Sequence, residues 1–208
     1  MKTFVQIGTH NGDDDFNKLV KKENPDYVVL VEPNSDMVDH ILENYSYITE
    51  KDKVKIETAA INTKSGPCEV VIPKEPIPQP DGSLCELGTT HYSLLPMDDW
   101  GDEFNSIKVE GMTFSELCEK HSITEIDYLQ IDTEGFDSQI ILSIDFDRVN
   151  IKKIQYEYWP FKSEDQYTRY GEDSQNYGLS GMEAVEDKLM DLGYELRFTK
   201  RDVIAFLK

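Results

Sequence analysis

A short apolar strand, a loop bounded by glycines and a second strand that ends in an acid constrain this chain most. Residues 4–7 read Phe-Val-Gln-Ile, and the loop Gly8-Thr-His-Asn-Gly12 follows them directly. Glu32 ends the next apolar run, twenty positions beyond Gly12. Glycines let the backbone turn sharply and approach a ligand closely, and an acid at such a strand end accepts hydrogen bonds from ribose hydroxyls. The pattern predicts a βαβ unit that binds a nucleotide-like cofactor.

The residues after this loop favour a cofactor without phosphate. The loop has the form G-x-x-x-G, whereas dinucleotide sites use G-x-G-x-x-G, and Asp13-Asp14-Asp15 comes next. Three acids disfavour a pyrophosphate but suit a helix N-terminus, where free amides and the helix dipole favour negative charge. S-adenosylmethionine fits, because it offers an adenosine to Glu32, has no phosphate and carries a cationic sulfonium. A nicotinamide-dependent enzyme is the weaker alternative, since the third glycine is missing.

The charge balance argues against a nucleic-acid partner. The 208 residues include 21 basic and 41 acidic ones, which gives a net charge of −20 with no segregated basic segment. Nucleic-acid binding ordinarily needs a face rich in lysine or arginine. The acidity is explained most simply by solubility or by adaptation to salt. We therefore expect a small-molecule partner.

Length, cysteine content and hydropathy predict one cytoplasmic domain over residues 1–208. This length suits one α/β domain with a substantial core. Cys68, Cys85 and Cys118 are spaced too widely for a paired zinc site, and their odd number argues against a disulfide framework, so we expect a reducing compartment. No signal-like segment or run of roughly eighteen apolar residues is present, so we expect no membrane association. The oligomeric state stays open.

Strand-like and helix-like segments alternate, which predicts a parallel sheet with crossover helices. A capping box at Thr113 to Glu116 predicts a helix start, and a second one at Ser180 to Glu183 predicts another. Long excursions at about 73–105, with four prolines in 73–80, and at 161–179 are typical of lids or binding surfaces. The predicted strands are Thr3–Ile7, Tyr27–Val31, Val54–Ala60, Ile126–Asp132 and Ile151–Tyr158, and the predicted helices lie near Asp13–Glu23 and Ser35–Asn44.

The end of the chain predicts a helix and a hairpin. The helix opened by the second capping box carries Met182, Val185, Leu189 and Leu192 on one side, and Gly193 ends it. The runs Tyr194–Thr199 and Val203–Leu207 flank Lys200-Arg-Asp202 and form the predicted hairpin.

Five ordered segments, together covering roughly residues 4 to 160, resemble the FkbM family of S-adenosylmethionine-dependent methyltransferases. In family terms the first resembles the cofactor loop, the second the ribose-binding strand end and the third the segment that borders the adenine. The fourth is similar to a serine-leucine signature and the fifth to the most characteristic block of the family. These segments are Val5-Gln-Ile-Gly-Thr-His-Asn-Gly12, Val31-Glu-Pro-Asn34, Ala59-Ala-Ile-Asn-Thr-Lys-Ser-Gly66, His91-Tyr-Ser-Leu94 and Ile126-Asp-Tyr-Leu-Gln-Ile-Asp-Thr-Glu-Gly135.

The resemblance implies an α/β, Rossmann-like class I methyltransferase fold. Its sheet has seven mostly parallel strands with an antiparallel last strand, helices on both faces and the ligand over the carboxyl ends of the strands. Two departures from the family pattern are Gln6, where an acid is usual, and Gln130, where a lysine is usual. The cofactor-binding residues implied by the resemblance are Gln6, Gly8, Thr9, His10, Asn11, Gly12, Glu32, Pro33, Ala60 and Asp132.

Methyl transfer to a hydroxyl needs an acceptor that is held in line and a base that takes its proton. Asp132 follows a buried strand and is the favoured catalytic residue. Glu134 lies two positions later, and the structural alternative is that Asp132 or Glu134 caps the helix after Gly135. His91 titrates near the working pH, although a single loop histidine is more often simply exposed.

Four residues are candidates for the acceptor pocket: Tyr92, Ser93, Glu157 and Trp159. Glu157 and Trp159 end a predicted strand, and the alternative is that Trp159 fills the core while Glu157 pairs with a cation. Tyr92 and Ser93 belong to the serine-leucine signature. Carboxylates suit magnesium or calcium, but no spacing here demands a metal, so we predict none.

The sequence therefore predicts an S-adenosylmethionine-dependent O-methyltransferase that acts on a hydroxyl of a small molecule or sugar. The alternative is a non-catalytic module that keeps the fold for binding a ligand or a partner. Gln6, in place of the usual acid, motivates this alternative.

Overall fold

The computed structural model describes residues 1–50, 52–73, 93–94, 104–157 and 178–208. Its strands, in chain order, are β1 (Thr3–Ile7), β2 (Tyr27–Val31), β3 (Val54–Glu57), β4 (Ala60–Ile61), β5 (Gly66–Pro73), β6 (Phe104–Met112), β7 (Glu125–Ile126), β8 (Tyr128–Ile131), β9 (Asn150–Ile151), β10 (Lys153–Glu157), β11 (Tyr194–Phe198) and β12 (Asp202–Leu207). Its helices are α1 (Asp15–Glu23), α2 (Val38–Asn44), α3 (Phe114–Lys120), α4 (Asp137–Ser143) and α5 (Gly178–Asp191), and Ser35–Met37 forms a 3-10 turn.

The central sheet has seven strands in the order β11-β12-β10-β8-β1-β2-β3. β1 pairs in parallel with β2 and β8, and the pairs β2 with β3 and β8 with β10 are also parallel. β12 runs antiparallel to both of its neighbours, β10 and β11. The predicted α/β architecture, with seven mostly parallel strands and an antiparallel last strand, is confirmed.

Helices cover both faces of this sheet, because the inner strands are apolar on both sides. Burial of each such side chain stabilises the fold by about 1.5 to 3 kcal/mol. On one face, Phe4, Val28 and Leu30 pack with Phe16 of α1 and Ile41 of α2. On the opposite face, the cluster contains Val5, Ile7, Val29, Leu129 and Ile131 together with Leu117 of α3, Ile140 of α4 and Val185 of α5.

The predicted strand Val54–Ala60 is divided in the structure. β3 ends at Glu57, and Ala60–Ile61 forms β4, which leaves the main sheet and pairs in parallel with β6. β5 and β6 form a long antiparallel pair from Gly66 opposite Gly111 to Pro73 opposite Phe104. This pair was not predicted from the sequence. Val71 of β5 forms an isolated bridge with Ser93, and Ser93 lines the cleft described below.

The helix starts show one correct prediction and one wrong one. Thr113 and Glu116 form the reciprocal capping box predicted for α3. The box predicted at Ser180 is wrong, because α5 already begins at Gly178 and Ser180 lies inside it. Met182, Val185 and Leu189 are buried as predicted, whereas Leu192 follows the helix end and is 41% exposed.

The C-terminal hairpin is confirmed, since β11 and β12 pair antiparallel from Tyr194 to Phe198. Among the described residues, no helix is long and apolar enough to cross a membrane. Most of the predicted excursions, 73–105 and 161–179, lies outside those residues.

Candidate functional site

A cleft of about 240 Å³ lies over the carboxyl ends of β1, β2 and β8. Parallel strands bring their carboxyl ends to one edge of a sheet, so side chains distant in sequence meet there. β4, Val70 of β5 and the segment Ser93–Leu94 close another side. Its lining is Ile7, Gly8, Thr9, His10, Asn11, Asp13, Asp14, Val31, Glu32, Pro33, Ala59, Ala60, Ile61, Val70, Ser93, Leu94, Asp132, Thr133 and Glu134.

Gly8 lets the loop after β1 turn against the end of β8. Its φ of +82° lies in the region that favours glycine, and the amides of Gly8 and Thr9 both donate to the carbonyl of Val31 at 3.0 Å. A Cβ at Gly8 would lie 1.7 Å from the carbonyl oxygen of Asp132. Only glycine therefore fits at this point of contact between the loop after β1 and the end of β8.

Helix α2 holds the other end of the loop. Gly12 has a φ of +76°, and its Cα packs beside the Tyr45 ring, where a Cβ would lie 3.1 Å from Cε2. Asn44 Nδ2 donates to the carbonyl of Asn11 at 3.0 Å, and Asn17 Nδ2 donates to the carbonyl of Asn44 at 3.2 Å. These side-chain amides fix the backbone of the loop without using the atoms that face the cleft.

Glu32 lies at the end of β2 with its carboxylate almost fully buried. It is 3% exposed, Oε2 accepts the amide of His10 at 2.7 Å, and Oε1 accepts the amide of Asn34 at 2.9 Å. Burial raises the pKa of Glu32, while the two amide bonds oppose that rise. Each oxygen keeps a further lone pair, so this carboxylate can accept a pair of ligand hydroxyls.

Asp132, in the lining of the cleft, and Glu157, at the end of β10, form an acidic pair. Desolvation is the main cause that raises the pKa of each, and the charge of Asp137 raises both further. Repulsion from Asp132 raises the pKa of Glu157 as well. The Asp132 side chain remains accessible from the cleft, whereas Glu157 Oε2 is buried and has no hydrogen-bond partner among the described residues. Such a pair holds a proton at a pH where ordinary carboxyls are ionised.

Asp137, which sequence reasoning missed, fixes this part of the site. Its side chain is fully buried, Oδ1 accepts from the amide and the hydroxyl of Thr133, and Oδ2 accepts the amide of Glu157 at 3.0 Å. It therefore joins the ends of β8 and β10. Its position just inside a helix start, five residues after Asp132, was the available signal.

The turn between β8 and α4 uses two residues with left-handed backbone. Glu134 has a φ of +53° and Gly135 one of +101°. The helix itself begins after Phe136, which makes no side-chain capping bond. The alternative of Glu134 as a helix cap therefore fails, and Glu134 instead lines the cleft.

Gln6 is buried below the cleft and bonds to the start of α1. It is 1% exposed, and its Nε2 donates to Oδ2 of Asp14 at 2.5 Å. Asp14 is the N-cap of α1, since Oδ1 accepts the amide of Asn17 at 2.9 Å, and it also lines the cleft. The capping interpretation of the acidic run is confirmed for this residue.

The structure brings most of the predicted site residues together. The lining contains eight of the ten predicted cofactor-binding residues, all except Gln6 and Gly12. Of the predicted catalytic and acceptor residues, Asp132, Glu134 and Ser93 line the cleft, and Glu157 is near enough to Asp132 for the Asp132 charge to raise its pKa. His91, Tyr92 and Trp159 lie outside the described residues.

The cleft fits an adenosyl cofactor better than a phosphate-bearing one. Its described lining carries no lysine or arginine, and it offers the acceptors of Glu32, Asp14 and Asp132. Thr9 Oγ1 is buried and has no partner within the described ranges, although Thr9 faces the cleft. No group of three or more metal-binding side chains occurs in the same ranges.

Comparison with known proteins gives a family match over most of the chain. The profile of the methyltransferase FkbM domain matches residues 6–196. No sequence among curated proteins matches significantly.

Solved structures show the same fold at low sequence identity. The FkbM methyltransferase from Methylobacillus flagellatus KT is 11% identical with a TM-score of 0.53, and the match covers 99% of this chain but 43% of that one. The present chain thus spans less than half the length of that protein. An O-methyltransferase from Bacillus cereus in complex with S-adenosylhomocysteine is 9% identical, with a TM-score of 0.52 over 100% of this chain and 74% of that one. An S-adenosylhomocysteine-bound methyltransferase from Podospora anserina is 11% identical, with a TM-score of 0.50 over 100% and 72%.

Proposed function

This chain belongs to the FkbM family of methyltransferases, and we propose that it uses S-adenosylmethionine to methylate a hydroxyl of a small molecule or sugar. The observation that carries the proposal is the buried Glu32 carboxylate, which two loop amides hold at the wall of the cleft. A carboxylate fixed in this way at the end of β2 matches the two hydroxyls of a ribose.

The cofactor supplies an electrophilic methyl group, and the protein must hold the acceptor and manage its proton. Gly8, Thr9 and Glu32 would hold the adenosyl part. Asp132 would accept the proton that the acceptor hydroxyl releases. Its pKa, raised mainly by desolvation, comes closer to the range in which a base works near neutral pH, and its charge in turn raises the pKa of the neighbouring Glu157.

The charge of the cleft supports a neutral or cationic acceptor. Asp13, Asp132 and Glu134 line it, and their carboxylates would repel an anionic acceptor or a nucleic-acid backbone. We also propose that the enzyme works in the cytoplasm, in keeping with the free thiols of Cys68 and Cys118.

Calorimetric titration with S-adenosylmethionine and S-adenosylhomocysteine tests cofactor use. We expect both compounds to bind the wild-type protein. Glu32→Ala should weaken the affinity for each at least tenfold, which corresponds to about 1.4 kcal/mol, because it removes the acceptor of the ribose hydroxyls. Glu43→Ala, an exposed acid on α2, is the matched control and should bind as the wild type does. If the wild type binds neither compound at millimolar concentration, the proposal is wrong.

A screen of hydroxyl compounds with labelled S-adenosylmethionine tests the transfer itself. We expect a methyl ether to form with the wild type and Asp132→Asn to abolish it while cofactor binding persists. Gln6 in place of an acid favours a second candidate, a binding module without catalysis. That module would bind the cofactor but methylate no compound in the screen.

A further inference from the structure

The bond between Gln6 and Asp14 assigns a new role to the start of α1. We propose that Asp14, oriented by Gln6, provides the negative charge that binds the α-ammonium group of the cofactor. This inference rests on the proposed use of S-adenosylmethionine.

The Asp14 carboxylate faces the cleft in a fixed orientation. Gln6 Nε2 holds Oδ2 at 2.5 Å, and the amide of Asn17 holds Oδ1 at 2.9 Å. Both donors are neutral, and the described part of the chain shows no ion pair to Asp14. Its charge is therefore oriented but not neutralised, and a cation that enters the cleft can neutralise it.

The field of Asp14 extends over the residues on both sides of it. It contributes to the raised pKa of Asp132 and opposes the burial that lowers the pKa of His10. A cation bound beside Asp14 would therefore act electrostatically on the same two residues.

The unpaired acceptors near Asp14 select an ammonium group over a sulfonium. Gln6 and Thr9 are each 1% exposed, and Gln6 Oε1 and Thr9 Oγ1 have no hydrogen-bond partner within the described ranges. A buried acceptor without a donor costs free energy. An ammonium group carries three N–H donors, whereas a sulfonium carries none.

Position 6 also has a reason to be glutamine. An acid at this position would set two carboxylates at hydrogen-bond distance, and one of them would have to take up a proton. Gln6 instead donates a neutral hydrogen bond to Asp14, so that the two side chains do not compete for a proton. The negative charge that the family usually carries at position 6 thus stands at position 14 in this chain.

The test compares two ligands that differ in the amino-acid part. S-adenosylhomocysteine carries the ammonium group, whereas 5′-methylthioadenosine shares the adenosine and the thioether but lacks it. We expect Asp14→Asn to weaken the first about tenfold and to leave the second unchanged, both by calorimetry. The variant should fold, because asparagine caps a helix as well as aspartate does and the Gln6 amide can turn to accept from the new amide.

Two further variants sharpen the test. Asp15→Asn makes the same change in a side chain that is 94% exposed and lies outside the lining, so both affinities should stay as in the wild type. Gln6→Glu combined with Asp14→Asn moves the charge across the same hydrogen bond and should restore binding of S-adenosylhomocysteine to within about threefold.

Several results would overturn the inference. One is an unchanged affinity of Asp14→Asn for S-adenosylhomocysteine, and another is an equal loss for both ligands, which would indicate damage to the loop. In either case the proposed function survives if the wild type binds S-adenosylhomocysteine. Failure of the wild type to bind either ligand would instead reject the proposed function and this inference with it.

Discussion

Alanine at position 8 would have two separate costs, strain of the backbone and a clash of the new Cβ. Gly8 and Gly193 both have positive φ, +82° and +91°, so alanine strains the backbone at either position. Only at Gly8 would the new Cβ meet another atom, the carbonyl oxygen of Asp132 at 1.7 Å, whereas nothing lies within 4 Å at Gly193. The difference between the two variants therefore measures the contact between the loop and β8.

We expect Gly8→Ala to lower the thermal midpoint far more than Gly193→Ala. The strain of left-handed backbone costs about 1 to 2 kcal/mol in both, and the contact adds to it only at position 8. Thermal unfolding followed by circular dichroism checks the prediction. Equal midpoints for the two variants would show that the loop can move away from β8 without cost.

At the scale of single residues, sequence reasoning found the groups that belong to the cleft but not all of their bonds. Glu32 and Asp132 were identified because each follows an apolar strand. The bond from Gln6 to Asp14 was not, since it joins a strand residue to a helix cap across a loop whose path the sequence does not specify.

At the scale of elements, Lys188 of α5 fixes the end of α4. Its ammonium donates to the carbonyls of Leu142 at 2.9 Å and Ile144 at 3.0 Å, and more weakly to that of Ile141 at 3.4 Å. These carbonyls lie at a helix C-terminus, where a cation is favourable. Since Asp137 is the first residue of α4, this contact fixes the helix that carries Asp137.

Lys188→Met keeps the length of the side chain and removes the charge and its hydrogen bonds. We expect a loss of about 1.5 to 3 kcal/mol in the free energy of unfolding, the usual range for hydrogen bonds to a charged group. Lys200→Met, at an exposed hairpin turn, should change stability by less than about 0.5 kcal/mol. Urea denaturation measures both, and a similar value for the two variants would contradict the assigned role.

The elements themselves were predictable to different degrees. β1 and β2 were predicted with their observed bounds, because residues buried on both faces give an unbroken apolar run. The β5 and β6 pair was missed. Pro67 and Pro73 lie in β5, and proline argues against a strand unless the strand lies at an edge, as β5 does in its own sheet.

For the whole molecule, the acids with raised pKa values contribute to the dependence of stability on pH. Desolvation raises the pKa of Glu32, Asp137 and Glu157, and of Asp132 in the cleft, above the ordinary range of about 4. The folded state then binds more protons than the unfolded state above that range, so the free energy of unfolding falls as the pH rises through the raised pKa values. The net charge of −20 acts in the same direction through repulsion.

We therefore expect the temperature midpoint of unfolding to decrease as the pH is raised from 6.5 to 9. Asp132→Asn removes one member of the acidic group, so the fall should be smaller and the midpoint at pH 9 higher than in the wild type. Asp39→Asn, an exposed acid on α2, should follow the wild-type curve. A midpoint that stays constant or rises over this range would contradict the prediction.

Asp137 and Asp132 have different surroundings, and this difference can be used in an experiment. Asp137 ties the strand ends together through bonds to Thr133 and Glu157, whereas Asp132 keeps its side chain accessible from the cleft. Under the proposed function, Asp132→Asn removes the base while the bonds that Asp137 makes stay intact. Asp132→Asn immobilised on a resin with S-adenosylhomocysteine should therefore retain the unmethylated acceptor from a cell extract, which mass spectrometry can then identify.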